Sequence, residues 1–483
     1  MKRKVVVINV DGLCREPFYS MLDGGSLHVF RSLFGKGLRV ERAVSVFPSV
    51  TLTCQASLYT GCLPVKHNLL GNGWFNRYAG SPVYRDYTNL HAALHVYGFR
   101  LFGLPTVFLP ERKGTPLANA EISAGAPTIY EALARAGMSG AVVFDHVSRG
   151  AAAWVRPSRG DMIRFALCHE NRLEYQVFER DTARRAVQYL RRTRELPDYF
   201  TIYFSGLDGY SHRHGPGTQA EYLTRHLDPL LGVVVEALRP HAEKCEMYYL
   251  LTADHGQAEV KDDEGHLIYD AQFGEMMAAA GRKPFLPGER RGAPVGECDL
   301  VMVNQGGSMH LYVRRGGGGW GERPDLKNDL LPLAETIEKL SRSRFGKILP
   351  GWIEFILVKD PSTDRYRHYT GGSASDAEAF LRDNDEKYPD AVERLRGYAC
   401  PRSADVVIMV NYDEGFCFTD APHRGQHGHL HRDDSLVPLI VAGEGVEPGA
   451  VKSASIVDAA PTAAALLGAA MPEADGRPVA ATG

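Results

Sequence analysis

Three apolar runs of this 483-residue chain each end on a carboxylate: Lys4–Val10 before Asp11, Tyr199–Leu207 before Asp208 and Glu246–Ala253 before Asp254. Histidines stand beside two of them, His212 four residues after Asp208 and His255 directly after Asp254. A third, His427, lies in Gly425-Gln-His427-Gly428, shortly before the apolar run Val437–Ala442. Mixed Asp and His donors suit zinc best, with manganese or iron as alternatives, whereas magnesium and calcium prefer all-oxygen cages. Six such groups suffice for two divalent ions. Each alone is ordinary, because aspartate often opens a turn and a lone histidine is usually solvated or packed. Their joint occurrence in this order carries the reading.

A nucleophile for such a centre is offered by Val46–Asn72, VFPSVTLTCQASLYTGCLPVKHNLLGN. Phe47-Pro48-Ser49 cannot continue a helix through the proline, and apolar residues then recur at helical spacing to Tyr59, so Thr51 falls at a helix start. A hydroxyl there faces unpaired backbone N–H groups and the positive end of the helix dipole, which favours an anion. On this stretch alone, a cap formed by Thr51 or Ser49 is the plainer reading. A threonine becomes a nucleophile only with a base or a metal ion beside it.

The elements that must position these groups read as α/β. Near-continuous apolar strands separated by helical stretches such as Thr128–Ala136 and Glu179–Arg194 predict a mainly parallel central sheet sandwiched by helices. Ligands of such sheets bind beyond the carboxyl ends of the strands, where Asp11, Asp208 and Asp254 would converge. Gly140–Phe144, Ile353–Val358, Val406–Val410 and Val437–Ala442 add strands, and Asp458 opens a closing helix through Leu467. Residues 1–256 and 402–483 are expected to form the catalytic core. Between them, 257–401 loses the alternation, with Arg-, Gly- and Pro-rich stretches, and reads as an inserted cap region. Residues 73–125 are aromatic and poor in periodicity, as expected of a substrate-covering segment within the core. Gly316–Gly319 is a flexible turn, since it lacks the phosphate-loop pattern.

Charged residues make up 23% of the chain with a formal net charge of −3 and no basic block, which excludes a general nucleic-acid or anionic-membrane surface. No apolar run approaches a membrane span, and MKRKVVVINVDG is too short in its apolar part for a signal, so the expected location is cytoplasmic. Eight cysteines without a CxxC pair read as buried thiols.

The segments VVVINVDG, FPSVTLTCQASLYTGCLPVKH, GLDGYSH, TADHG and GQHGH, with the closing SLVPLIVAGEGV, IVDAAPTAAALLG and DGRPV, resemble the alkaline phosphatase superfamily. The resemblance is strongest to its nucleotide pyrophosphatase/phosphodiesterase branch. It implies one metal on Asp208, His212 and His427 and another on Asp11, Asp254 and His255, with Thr51 facing the second. It also implies that Asn72 bonds a non-bridging phosphate oxygen, and that phosphodiester or phosphoanhydride bonds of a small substrate, such as a nucleotide, are cleaved through a phosphothreonine at Thr51. Two divalent ions about 4 Å apart polarise both oxygens of an in-line phosphoryl transfer.

Where the family usually has Thr-Phe-Pro-Asn, this chain has Thr51-Leu52-Thr53-Cys54, and Leu52 can pack against a base but not stack on it. Trp74 and Phe75, directly after Asn72, and Tyr210, between two ligands, are the expected remaining walls of the substrate site. Cys62-Leu-Pro-Val-Lys66 departs from the sulfatase core in its lysine. Asp145-His146 reads as an ordinary strand end, and among His214, His423, His429 and His431 at most one is expected to support a ligand, the rest being exposed. Rival readings are a phosphonate hydrolase, with Lys113 gripping a substrate carboxylate, a phosphomonoesterase or phosphomutase, and an inactive binding homologue. Retention of all six ligands and Thr51 argues against the last.

Overall fold

The structure is a computed structural model that describes residues 1–78, 82–86, 117–285 and 295–480. Lys113 and the aromatic residues 87–108 of the expected covering segment lie outside the described residues.

Strand Lys2–Val10 is the axis of the molecule. Val5, Val6, Val7, Ile8 and Val10 are all buried, so both faces of the strand are covered, as its unbroken apolar run requires. It pairs in parallel with Tyr199–Phe204 on one side and Cys245–Thr252 on the other. Gly140–Val143 and Ala153–Val155 extend the parallel half. The far half is mixed: Leu439–Gly443 runs antiparallel to Cys245–Thr252, and Leu38–Val44, Leu436–Val437 and Gly449–Ser455 complete a nine-stranded sheet. Thr51–Thr60, Ile129–Arg135 and Ala459–Leu466 pack together over one face, and His28–Phe34, Gln176–Arg192 and Asp228–Ala242 over the other.

Asp208 departs from the strand-end expectation. Its strand stops at Phe204, and a helix, Gly206–His214, begins two residues later. The apolar Leu207 prolongs the strand pattern in sequence, yet Gly206 is pressed so closely against its neighbours that a Cβ would stand 2.5 Å from the Tyr222 hydroxyl. Its N–H donates to Oε1 of buried Glu179 at 3.1 Å. Asp208 thus lies in the first turn of that helix, and His212 one turn later faces the same way.

Six strands of the region read as an irregular cap join Val406–Val410 in a second, mostly antiparallel sheet. Val406–Val410 and Ile353–Lys359, expected in the first sheet, pair with each other at the middle of this one. Its side chains divide by parity: Val301, Val303, Tyr312, Leu357, Val407 and Met409 join the core of the first sheet. Met302, Leu311, Ile356, Val358, Val406 and Ile408 form a separate core with Phe273, Trp352 and Phe418. The inserted sheet is therefore a wall shared by two cores, and a buried Arg77–Asp405 ion pair ties it to the segment that follows Asn72. All eight cysteines are free, and no described helix is long and apolar enough to cross a membrane.

Candidate active site

Thr51 is the first residue of helix Thr51–Thr60, and neither it nor Ser49 caps that helix: no side chain bonds its first turn from Val50, and the Ser49 hydroxyl donates instead to the His429 carbonyl at 2.7 Å. The Thr51 hydroxyl is left to face Nε2 of His255 at 3.3 Å. The plainer cap reading of the sequence is thereby excluded.

Around that hydroxyl the structure gathers two sets of donor atoms, Asp11 with Asp254 and His255, and Asp208 with His255 and His427, each set lying within 4.8 Å. His255 Nε2 stands between them, 3.4 Å from Asp11 Oδ1, and its ring stacks on His427 at 3.8 Å between centroids. His212 joins through its Nε2, 3.4 Å from Asp208 Oδ2. Each histidine turns its other nitrogen to a main-chain carbonyl: His212 to Gly425 at 2.7 Å, His255 to Gly256 at 3.0 Å and His427 to Ser49 at 3.0 Å. An Nδ1–H donated in this way leaves the Nε2 lone pair free, which is the arrangement of a metal-ligating imidazole.

The carboxylates are held as tightly. Tyr203 donates to Asp11 Oδ2, Gln257 to Asp208 Oδ1, and the Gly12 and His255 amides to Asp254 Oδ1 at 3.3 and 3.0 Å. Gly12 sits at φ +66°, where a Cβ would touch the Asp208 side chain at 3.0 Å, so only glycine lets the strand turn there. Oδ1 of Asp11 and Oδ2 of Asp254 are buried without a hydrogen-bond partner. Burial, then the neighbouring Asp254 and Asp208 charges, push the Asp11 carboxyl well above its ordinary range, and burial also raises Asp254. Burial works against the Asp208 carboxylate too, but His212, 3.4 Å away, outweighs it and holds the group low. Burial keeps His427 far below the usual imidazole value, hence neutral. Three crowded carboxylates, two of them buried with an orphaned oxygen, and the Nε2 atoms of three imidazoles suit divalent cations, which would supply the missing charge.

Asn72 lies beside the helix start. Its Oδ1 accepts from the Leu52 amide at 3.0 Å, so the donors left to a substrate are those of Nδ2. Leu52 itself is 4% exposed. Phe75 does not line a pocket: it is fully buried, with ring centroids 4.8 Å from Trp320 and 5.6 Å from Tyr312. Trp74 is buried near the Arg402 guanidinium. Tyr210, two residues from Asp208 on a helix, projects from the opposite side and packs on Tyr222 and His214 at 4.7 and 4.4 Å.

Two histidines depart from the sequence reading. His429 and His431 are buried rather than exposed, 3.4 Å from Glu354 of the inserted region and 3.7 Å from Asp413. Asp145 is buried under the Tyr59 hydroxyl, and His146 bonds Gln55 at 2.7 Å, one turn beyond Thr51. Tyr203 and Gln257, which hold ligand carboxylates, have no sequence signal beyond standing close to Asp208 and His255.

A parallel-centred sheet with these ligands at its carboxyl edge and a threonine at an adjoining helix start defines an alkaline phosphatase-like fold. Within that class, the chain belongs to the type I phosphodiesterase / nucleotide pyrophosphatase family, whose profile matches residues 5–430. The solved structure of murine ectonucleotide pyrophosphatase / phosphodiesterase 5 is similar with a TM-score of 0.60 at 13% identity, over 98% of this chain and 97% of that one. An inactive form of the murine protein in complex with AMP gives 0.59 and the human protein 0.58, with the same identity and coverage. A search of curated sequences finds no match.

Proposed function

We propose that this chain is a metal-dependent hydrolase of phosphodiester or phosphoanhydride bonds in small nucleotide-like substrates, with Thr51 as the nucleophile. The observation that carries the reading is the position of the Thr51 hydroxyl, at a helix N-terminus and 3.3 Å from the histidine shared by both donor sets. Asp11, Asp254 and His255 would hold one divalent ion and Asp208, His212 and His427 the other, zinc being the best match to mixed nitrogen and oxygen donors. Two such ions, when bound, lower the pKa of an adjacent hydroxyl and neutralise phosphoryl charge.

The chain's own groups account for the rest. Thr51 Oγ1 attacks phosphorus in line with the leaving oxygen, the P–O bond to that oxygen breaks, and water later opens the phosphothreonine. The Nδ2 donors of Asn72 and the free amides at the helix start hold the equatorial oxygens, which carry the developing charge. AMP bound to the inactive murine relative supports a nucleotide-sized substrate. Zinc- and manganese-loaded protein should hydrolyse bis-p-nitrophenyl phosphate or a dinucleotide faster than p-nitrophenyl phosphate. Turnover of phosphonoacetate alone would replace this reading with C–P bond hydrolysis.

A further inference from the structure

The turn Asn304–Ser308 joins two antiparallel strands of the inserted sheet and ends between Asn72 and His427. Gln305, 4% exposed, lays its side-chain amide along the backbone beside Asn72: Oε1 accepts the Asn72 N–H at 3.1 Å and Nε2 donates to the Gly73 carbonyl at 2.7 Å. The fit is close, since a Cβ at Gly71 would stand 2.2 Å from Gln305 Nε2. The other side of the turn grips the ligand loop. Gly307 N–H donates to the His427 carbonyl and the Ser308 hydroxyl to the Gly428 carbonyl, both at 2.7 Å. Gly428, at φ +103°, lies so near that a Cβ would be 1.7 Å from the Gln305 carbonyl oxygen. The Asn304 side chain fixes the turn by accepting from Gly306 N–H at 2.6 Å and donating to Asp270 at 2.8 Å.

We propose that Gln305 is a positioning residue for phosphoryl transfer: from the inserted domain it fixes the main chain at Asn72, and so the direction in which Asn72 offers its donors to a phosphate oxygen. Asn72 then has two anchors, the Leu52 amide on its side chain and Gln305 on its backbone. Misplacement of such a group by even an ångström costs rate without removing any contact to substrate. The inserted domain is thereby part of the active site's framework rather than a separate lid.

The proposal rests on the reading of Asn72 given above, and a double-mutant cycle separates the two. Gln305→Met keeps the volume of the side chain and removes both hydrogen bonds. With bis-p-nitrophenyl phosphate as substrate, it should lower kcat/KM by about 10- to 100-fold with metal content unchanged, and in an Asn72→Ala background by no more than about twofold. The more disruptive Gln305→Ala should show the same non-additivity. Full activity in Gln305→Met, an equal loss in both backgrounds, or a loss that follows metal content would each overturn the proposal while leaving the site's reading intact. An Asn72→Ala enzyme with undiminished turnover would overturn both.

Discussion

The phenol of Tyr203 donates to Oδ2 of Asp11, and Oδ1 of the same buried carboxylate has no hydrogen-bond partner. The two residues are brought together by strand register, Asn9 lying opposite Tyr203 so that Asp11 leaves its strand just beyond. One oxygen is held and the other is aimed into the site. Removing the hydroxyl frees the carboxylate to rotate, so Tyr203→Phe should fold normally but bind divalent metal about 10- to 100-fold more weakly in competition with a chelator. Unaltered metal affinity would mean that the bond is only packing.

Metal content of the purified protein should approach two ions per chain, because His255 completes the set of Asp11 and Asp254 while His212 and His427 complete that of Asp208. Histidine and carboxylate ligands must be deprotonated, so protons compete with the ions and occupancy falls on acidification. Chelation should abolish turnover and lower the melting temperature, both restored by zinc or manganese. Stoichiometry near one, unchanged by His427→Ala, would contradict the second set.

Glu179 bonds the Gly206 amide at the start of the Asp208 helix and is pushed by burial to about 8. Its ordinary value is 4.5, so between the two values the folded state holds a proton that the unfolded state has lost. Through this group, stability should fall as pH rises across that window. Glu179→Gln keeps an acceptor for Gly206 without the titration. Its advantage over the wild type should grow to on the order of 5 kcal/mol by pH 9, measured by urea unfolding. Parallel pH curves for the two proteins would show that Glu179 does not titrate in this range.

Phe75 packs against Tyr312 of the inserted sheet and Trp320 rather than facing the substrate site. Phe75→Ala should therefore cost about 3–5 kcal/mol of stability while the folded enzyme keeps its KM for every substrate. A raised KM at unchanged stability would return Phe75 to the pocket.

Asp11 and the helix start at Thr51 are legible because the signals are local: an unbroken apolar strand ending in Asp-Gly, and a proline followed by helical periodicity. Asp208 was placed on a strand end because Leu207 continues the apolar run, while the close packing of Gly206 on Tyr222 that permits a helix there is a tertiary fact. The inserted sheet was hidden for a different reason. Strands such as Val406–Val410 feed a core on each face, so every position is apolar and the two-residue alternation of an antiparallel strand disappears. His429 reads as exposed because the group beside it, Glu354, comes from the inserted region. Gln305 was invisible in the same way, since its partners are main-chain atoms more than 200 residues away.

The central claim, that Thr51 carries the phosphoryl group, is tested most directly by acid-quenching the metal-loaded enzyme during turnover and mapping the phosphorylated peptide. The label should lie on Thr51. Thr51→Ala, with both metals retained, should lose at least about a thousandfold in kcat and kcat/KM together, on the order of 4 kcal/mol of barrier, while Thr51→Ser keeps part of the rate. Phosphate on Ser49, or near-normal turnover of Thr51→Ala with both metals bound, would contradict the account.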